Sequence, residues 1–228
     1  MNNPKSTARF AGALYLLIAV LAPFSMMYLP SLIVVPGDAA ATASNLVAHQ
    51  GLFRVGLLND AAIALLEVVL SAVLYLVLRP AGRTLALVAT FGRLGMAVLQ
   101  AVNLFPQLAA LELVSGASSL PGPEALALLT LQVHERASHV WELFFGLHCF
   151  LVAALVYRSG YFPRIFAGLM TLAALGYSAN AVGQLLAPAH AAALAAFVGI
   201  GALVGEVPFV FWLLIKGVDE AKWRAAAG

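Results

Sequence analysis

Long apolar runs alternate with short polar segments along the whole chain. Six of the runs reach roughly 20 residues, the length that crosses the hydrocarbon layer of a bilayer as an α-helix. We predict transmembrane helices at about 10–29, 54–78, 84–114, 124–157, 165–186 and 191–215. The pattern therefore predicts an all-α integral membrane bundle of six helices, with residues 1–228 forming a single transmembrane domain.

The polar segments between the runs carry turn and capping signals. In the segment from Pro30 to Gln50, Pro36-Gly37 predicts a turn and Asp38 is a candidate N-cap for a short Ala-rich helix. A second loop, from Ser115 to Pro123, is rich in Ser, Gly and Pro. Within the last run, Gly201-x-x-x-Gly205 predicts a close contact between helices.

Composition supports the membrane class. Hydrophobic residues make up 63% of the chain and charged residues 10%, against roughly 25% charged residues in a soluble domain, and the mean hydropathy is +0.97. The formal net charge of +2 is too small to suggest nucleic acid as a partner. Membrane lipids are therefore the partners that the composition predicts.

Basic residues lie almost entirely on one side of the six runs. They precede the first run, separate the second from the third and the fourth from the fifth, and follow the sixth: Lys5, Arg9, Arg79, Arg83, Arg158, Arg164, Lys216, Lys222 and Arg224. Cytoplasmic loops accumulate Lys and Arg, whereas translocated loops do not. The asymmetry predicts that both termini are cytoplasmic and that the loops at 30–50 and 115–123 lie outside.

Several short motifs resemble a known family. They are Arg9-Phe10-Ala11-Gly12, Val35-Pro36-Gly37-Asp38, Phe53-Arg54-x-Gly56, Phe91-x-Arg93, Phe144-Phe145-Gly146-Leu147-His148-Cys149 and Ser159-Gly160-Tyr161-Phe162-Pro163-Arg164. Together, over about 9–216, they resemble the domain-of-unknown-function family 4386, a set of bacterial multi-pass membrane proteins. The resemblance implies a location in the cell (inner) membrane, and it implies no reaction, substrate or cofactor.

Four ionisable side chains fall near the predicted bilayer midplane. Counted at 1.5 Å per residue from the cytoplasmic basic residues, they lie roughly 15 to 18 Å deep in a layer about 30 Å thick. They are Glu67, Arg93, His148 and Glu206, each on a different helix. A lipid-facing charge at this depth costs about 2.5 to 3.5 kcal/mol on insertion scales. We therefore expect the four to meet in the bundle core, with Arg93 paired to Glu67, Glu206 or both.

A second polar layer is predicted nearer the outside. Its members share helix faces with one another or with the midplane residues, and they are Asp60, Asn103, His139, Glu142, Asn180 and Gln184. The inner halves of the helices carry few polar residues. This one-sided polarity predicts a cavity that opens to the outside and is floored by the midplane charges.

These residues leave three functions open. The first is a protein that binds or moves a small molecule, a lipid portion or a proton through the cavity. The second is a membrane-embedded, metal-dependent enzyme that uses His139, Glu142 and His148. The candidate metal ligands on helix four are Glu135, His139 and Glu142, with a fourth donor such as His49, His134 or His190. The third is a structural or partner-binding bundle held by buried ion pairs. The chain contains no nucleotide, serine-hydrolase, zincin or redox motif, so we predict no cofactor, and its oligomeric state is open.

Overall fold

A computed structural model of the protein describes residues 3–116 and 120–228, and these residues form helices and no strand. Six helices are long and apolar enough to cross a membrane. In chain order, spans 1 to 6 are Pro4–Ile33, Gln50–Ala81, Arg83–Val114, Pro123–Ser159, Ile165–Leu186 and Ala191–Ile215. The prediction of an all-α chain with six membrane helices is confirmed.

The predicted bounds of spans 5 and 6 agree with the structure, whereas span 1 is longer than predicted at both ends. It begins at Pro4 and continues past Pro30 to Ile33. Pro30 lies where the helix continues from the π-helical turn Phe24–Tyr28 into Leu29–Ile33, so this proline does not end the span. The loop predicted at 115–123 includes residues 117–119, which lie outside the described residues.

Two short helices lie outside the spans. The first, Ala39–Ala48, begins where predicted, and the Asp38 carboxylate accepts a hydrogen bond from the backbone N–H of Ala41 at 2.9 Å. The second, Glu220–Ala227, was not predicted. Its cap is equivalent, because the Asp219 carboxylate accepts from the N–H of Lys222 at 3.1 Å. An Asp before an Ala-rich stretch therefore starts a helix at both places.

Three spans depart from regular α-helix in their interiors, and span 2 ends in a 3-10 turn at Arg79–Ala81. Spans 1 and 6 each include a π-helical turn, at Phe24–Tyr28 and Gly201–Glu206. Span 3 is interrupted at Asn103, three residues before Pro106, which cannot donate a hydrogen bond to the carbonyl four residues earlier. Prolines adjoin the other two departures as well, at Pro23 and Pro208. Each departure lies beside buried polar residues.

The described chain divides into two compact units. Unit 1 contains 1–17, 66–97 and 139–228, and unit 2 contains 18–65 and 98–138. Spans 1 to 4 contribute residues to both units, whereas spans 5 and 6 belong to unit 1 alone. The single-domain assignment stays a prediction, and each unit is described separately.

Glycines allow close backbone contacts in unit 1. A side chain at Gly12 in span 1 would collide with the backbone of Leu214 in span 6. At Gly201, an added Cβ would lie 3.2 Å from the Cα atom of Ala173 in span 5, and Gly205 faces the same residue. The close contact predicted for Gly201-x-x-x-Gly205 is therefore confirmed, and its partner is span 5.

The C-terminal helix is attached to the end of span 2 in unit 1. The Val77 carbonyl accepts two side-chain hydrogen bonds, from the Trp223 indole at 2.9 Å and the Tyr161 hydroxyl at 3.0 Å. Burial raises the pKa of Tyr161, so its hydroxyl keeps the hydrogen that it donates. The two bonds satisfy a carbonyl that the end of the helix leaves free.

Unit 2 has an apolar core of its own. Buried side chains from spans 1, 2, 3 and 4 and from the helix Ala39–Ala48 form it: Ile33, Leu46, Phe53, Ala110, Leu111, Ala127 and Leu131. Their burial gives unit 2 a hydrophobic core that includes no residue of spans 5 and 6.

Candidate functional site

One hydrogen-bonded network in unit 1 contains a side chain from every span. In order from span 1 to span 6, its members are Tyr15, Glu67, Arg93, His148, Tyr177 and Glu206. The structure thus brings together all four residues that the sequence places near the midplane. We call this set the central network.

Arg93 is the hub of the central network and is fully buried. Its Nε donates to Glu67 Oε2 at 2.6 Å, and its Nη1 donates to the Tyr15 hydroxyl at 2.9 Å. Its Cζ also lies 4.4 Å from the centre of the Tyr15 ring, a favourable cation–π distance. The predicted pairing of Arg93 is confirmed, and its partner is Glu67. Among the described residues, Arg93 Nη2 has no hydrogen-bond partner.

His148 uses both ring nitrogens. Nδ1 lies 2.8 Å from the carbonyl oxygen of Ala89, and Nε2 lies 3.1 Å from Arg93 Nη1. A carbonyl only accepts and a guanidinium only donates, so Nδ1 carries the hydrogen and Nε2 carries the lone pair. His148 is therefore a neutral acceptor that holds Arg93 in place.

Glu206 is reached through two tyrosines. Tyr15 donates to Oε2 at 3.1 Å, and Tyr177 donates to Oε1 at 2.7 Å. Glu206 is 8% exposed and makes no direct ion pair with Arg93, to which it is joined through the Tyr15 hydroxyl. The two carboxylates of the network therefore differ, because Glu67 contacts the guanidinium and Glu206 contacts only hydroxyls.

Local sequence explains how the network forms. Gly92 has no side chain, and a Cβ there would lie 3.3 Å from the backbone carbonyl oxygen of Phe144 and 3.5 Å from the backbone nitrogen of His148. Spans 3 and 4 can therefore approach closely beside Arg93. Glu206 is the last residue of the π-helical turn Gly201–Glu206, and such single turns occur frequently at functional sites.

A second polar set in unit 1 joins spans 4 and 5. The Asn180 side-chain amide donates to Glu142 Oε2 at 2.7 Å, and His139 Nδ1 lies 3.4 Å from the same oxygen. Gln184 donates to Asn180 Oδ1 at 3.3 Å. Asn180 follows Tyr177 by three residues, so the two side chains share a face of span 5. The second set therefore lies one helical turn from the central network.

Asn103, predicted in the same outer layer, belongs to a neutral set in unit 2. Its side-chain amide donates to the backbone carbonyl of His134 at 2.9 Å, and its backbone carbonyl oxygen lies 2.8 Å from His134 Nδ1. The Gln107 amide lies 2.8 Å from His134 Nε2. These contacts link spans 3 and 4 without any formal charge. We call them the amide–imidazole set.

Asp60 lies elsewhere in unit 2. Its side chain is 8% exposed, and its carboxyl is within hydrogen-bonding reach of the Ser25 hydroxyl. The predicted outer layer thus separates into three sets, around Glu142, Asn103 and Asp60. That these sets line one outward-facing cavity stays a prediction.

The metal hypothesis gains no support from the geometry. Within the described ranges, no group of three or more His, Cys, Asp or Glu side chains could hold a metal ion. His139 and Glu142 are in contact, but His134, one of the three histidines proposed as a fourth donor, already uses both ring nitrogens in the amide–imidazole set.

Sequence reasoning missed the tyrosines of the central network. Neither Tyr15 nor Tyr177 is among the site residues that the sequence predicts. Counting depth for ionisable groups passes over a hydroxyl that is polar but uncharged. A search for every hydrogen-bonding side chain near the midplane would have found both. Ser25 and Asn59, which adjoin Asp60, were missed for the same reason.

Comparisons with known proteins identify a family and a relative, but neither has a described activity. A family model described as a domain of unknown function, DUF4386, matches residues 10–217. A protein of Archaeoglobus fulgidus, described as an uncharacterised protein, is 26% identical over 155 residues, which cover 68% of this chain and 79% of the relative. No solved structure matches the chain.

Proposed function

Because the chain belongs to the DUF4386 family, whose description names no activity, we propose its function from the central network alone: it is a multi-pass membrane protein that moves protons, with Glu206 as the proton-binding residue. The observation that carries the proposal is the composition of the network. It contains two carboxylates, one guanidinium, two hydroxyls and a neutral imidazole.

The charges in the network do not balance when both acids are ionised. Arg93 supplies one positive charge and His148 supplies none, while Glu67 and Glu206 would supply two negative charges. An uncompensated charge in the membrane interior costs about 2.5 to 3.5 kcal/mol on insertion scales. The network is neutral when one of the two acids carries a proton.

Glu206 is the better candidate for that proton. Glu67 is held as a carboxylate by a short bond to Arg93, whereas Glu206 faces two hydroxyl groups. A tyrosine hydroxyl both donates and accepts hydrogen bonds. Tyr177 can therefore donate to an ionised Glu206 or accept from a protonated one, and both states keep their hydrogen bonds.

The second polar set offers a route to Glu206. Glu142 and Asn180 lie one turn from Tyr177 along spans 4 and 5, and the side chains of His139 and Glu142 are 18% and 11% exposed. In the orientation that the basic residues favour, this end of the set faces the outside. We propose that protons pass between the outside and Glu206 through Glu142, Asn180 and Tyr177.

Proton flux in proteoliposomes tests this function. We expect wild-type protein to dissipate an imposed pH gradient, reported by a pH-sensitive dye trapped inside, and Glu206→Gln to reduce the rate at least about tenfold, because general acid–base groups contribute such factors or larger. Gly168→Ala is the matched control, since nothing lies within 4 Å of a Cβ at this position.

Equal rates for wild-type protein, Glu206→Gln and empty liposomes would reject proton movement. That result would favour the third function, in which the Arg93–Glu67 pair only fixes helix packing.

Binding of a small molecule or part of a lipid is the second candidate function. The observation that favours it is Arg93 Nη2, a fully buried donor without a partner among the described residues. A ligand oxygen that accepts from Nη2 would stabilise the folded protein. A thermal-unfolding screen of small carboxylates in which none raises the melting temperature would remove this candidate.

We also propose that the protein lies in the cell (inner) membrane with both termini in the cytoplasm, on the basis of the Lys and Arg asymmetry. Ser44 and Lys222 are exposed and suit single-cysteine labelling. We expect an impermeant thiol reagent to label Ser44→Cys in intact cells and Lys222→Cys only after permeabilisation. The reverse result would invert the orientation.

A further inference from the structure

A buried carboxyl in unit 2 lies beside the π-helical turn of span 1. Asp60 is 8% exposed, and Ser25, within the turn Phe24–Tyr28, is 5% exposed. The Asn59 side-chain amide donates to the Ser25 hydroxyl oxygen at 2.6 Å and to the Leu21 carbonyl at 3.1 Å. The Ser25 hydroxyl lies 3.4 Å from the Gly56 carbonyl.

Few side-chain donors surround this carboxyl. The two amide hydrogens of Asn59 are already directed to Leu21 and Ser25. One hydrogen, on the Ser25 hydroxyl, is left for both the Gly56 carbonyl and the Asp60 carboxyl. The Gly56 carbonyl lies within the regular helix Gln50–Leu78 and already accepts a hydrogen bond from that helix. The Ser25 hydroxyl therefore supplies the Asp60 carboxyl with one hydrogen and no positive charge.

Among the described residues, Asp60 also has no cationic side chain within ion-pair distance. The ion pairs within the described residues involve Glu67, Glu142, Asp219 and Glu220, and none involves Asp60. An ionised carboxylate in a membrane span requires compensation. A single positive charge is enough to make the site neutral.

We propose that Asp60, Ser25 and neighbouring backbone carbonyls form a binding site for a small monovalent cation such as Na⁺. Carboxylate, hydroxyl and carbonyl oxygens are the ligands that hard cations prefer. Irregular backbone within a membrane helix supplies carbonyls for Na⁺ in transporters, and the π-helical turn provides such irregular backbone. A divalent ion would leave an excess positive charge. The site uses no residue of the central network and does not depend on the proposed proton movement.

Thermal unfolding in detergent tests the site. Wild-type protein is compared in sodium, potassium and N-methyl-D-glucamine chloride at equal ionic strength. We expect sodium, potassium or both to raise the melting temperature by about 3 °C over the organic cation, because ligand binding stabilises the folded state. Asp60→Asn removes the charge with little change in shape, and we expect it to abolish the shift.

Two further variants keep the test decisive. Glu112→Gln removes an exposed carboxylate from the same unit and should retain the full shift. If Asp60→Asn does not fold, Ser25→Ala replaces it, and we expect that variant to need about tenfold more salt for half of the shift. Equal melting temperatures in all three salts, or a shift retained in Asp60→Asn or unaltered in Ser25→Ala, would overturn the proposal.

Discussion

Two buried acids, one in each unit, adjoin a π-helical turn, and they differ in their partners. Glu206 of unit 1 accepts hydrogen bonds from Tyr15 and Tyr177 and is joined through Tyr15 to Arg93. Asp60 of unit 2 has the Ser25 hydroxyl within reach and has no ion-pair partner among the described residues. Both acids lie beside a π-helical turn, but only Glu206 is linked to a guanidinium through a hydrogen-bonded network.

The difference shows two ways to keep an acid inside a membrane span. Unit 1 supplies a guanidinium and several hydrogen bonds from its own side chains, so that its network ties all six spans together. Unit 2 offers mainly acceptor oxygens around Asp60. Removing a partner should therefore damage unit 1 severely, whereas the Asp60 site should respond to the ions in solution.

Removing Arg93 should have the largest effect on stability. Arg93→Ala leaves Glu67 buried without its partner, which costs about 3 to 5 kcal/mol and lowers the melting temperature in detergent by about 10 °C. Adding Glu67→Gln should recover part of this loss, because that change removes the unpaired charge. Adding Glu206→Gln should recover less, since Glu206 does not contact Arg93 directly.

The control for this cycle is Arg83→Ala, which removes an exposed arginine at the start of span 3 and should change stability by less than about 0.5 kcal/mol. Strictly additive effects of Arg93→Ala and Glu67→Gln would contradict the pairing.

Glycine contacts provide the next largest contrast between the units. In unit 1, a side chain at Gly12 would meet the backbone of Leu214, and in unit 2 a side chain at Gly56 would meet the flexible end of Leu29. A backbone cannot move aside as a side chain can. We expect Gly12→Ala to cost about 1 to 3 kcal/mol and Gly56→Ala to cost less than about 1 kcal/mol. Thermal unfolding measures both, and equal costs would contradict the contrast.

Neutral hydrogen bonds in unit 2 should matter least. Asn103→Ala removes the bond to the His134 carbonyl, and hydrogen bonds between membrane helices contribute about 0.6 to 1.7 kcal/mol. Gln107→Ala, which removes the donor to His134 Nε2, should have an effect of similar size. The same unfolding assay measures both variants. A loss as large as that of Arg93→Ala would show that formal charge does not decide the strength of these contacts.

The sequence predicts the spans and the midplane residues because the length of a membrane helix and the depth of a residue in it both follow from counting residues at about 1.5 Å each. Counting residues from the basic loops was enough to place Glu67 and Arg93 at one level, and the structure joins them. Neighbouring spans 2 and 3 are connected by a short turn, which favours an antiparallel pair.

Other features depend on how each helix is rotated about its axis and packed against its neighbours. Counting residues along the chain cannot predict either. The choice of Glu67 over Glu206 as the Arg93 partner, the role of Tyr15, and the separation of Asp60 from Asn103 all depend on rotation about helix axes. The π-helical turns alter that rotation locally. The helix Glu220–Ala227 was missed because its single buried anchor, Trp223, has no periodic apolar pattern around it.

Infrared spectroscopy of the protonated carboxyl groups tests the central claim most directly, because the carbonyl band of a protonated acid is separate from that of a carboxylate. The account predicts that the protonated band decreases at neutral pH in Glu206→Gln, and also in Glu67→Gln, where Glu206 loses its proton to balance Arg93, while the exposed control Glu112→Gln leaves the band unchanged. A protonated band of equal intensity in wild-type protein and Glu206→Gln would contradict the assignment of the proton to Glu206.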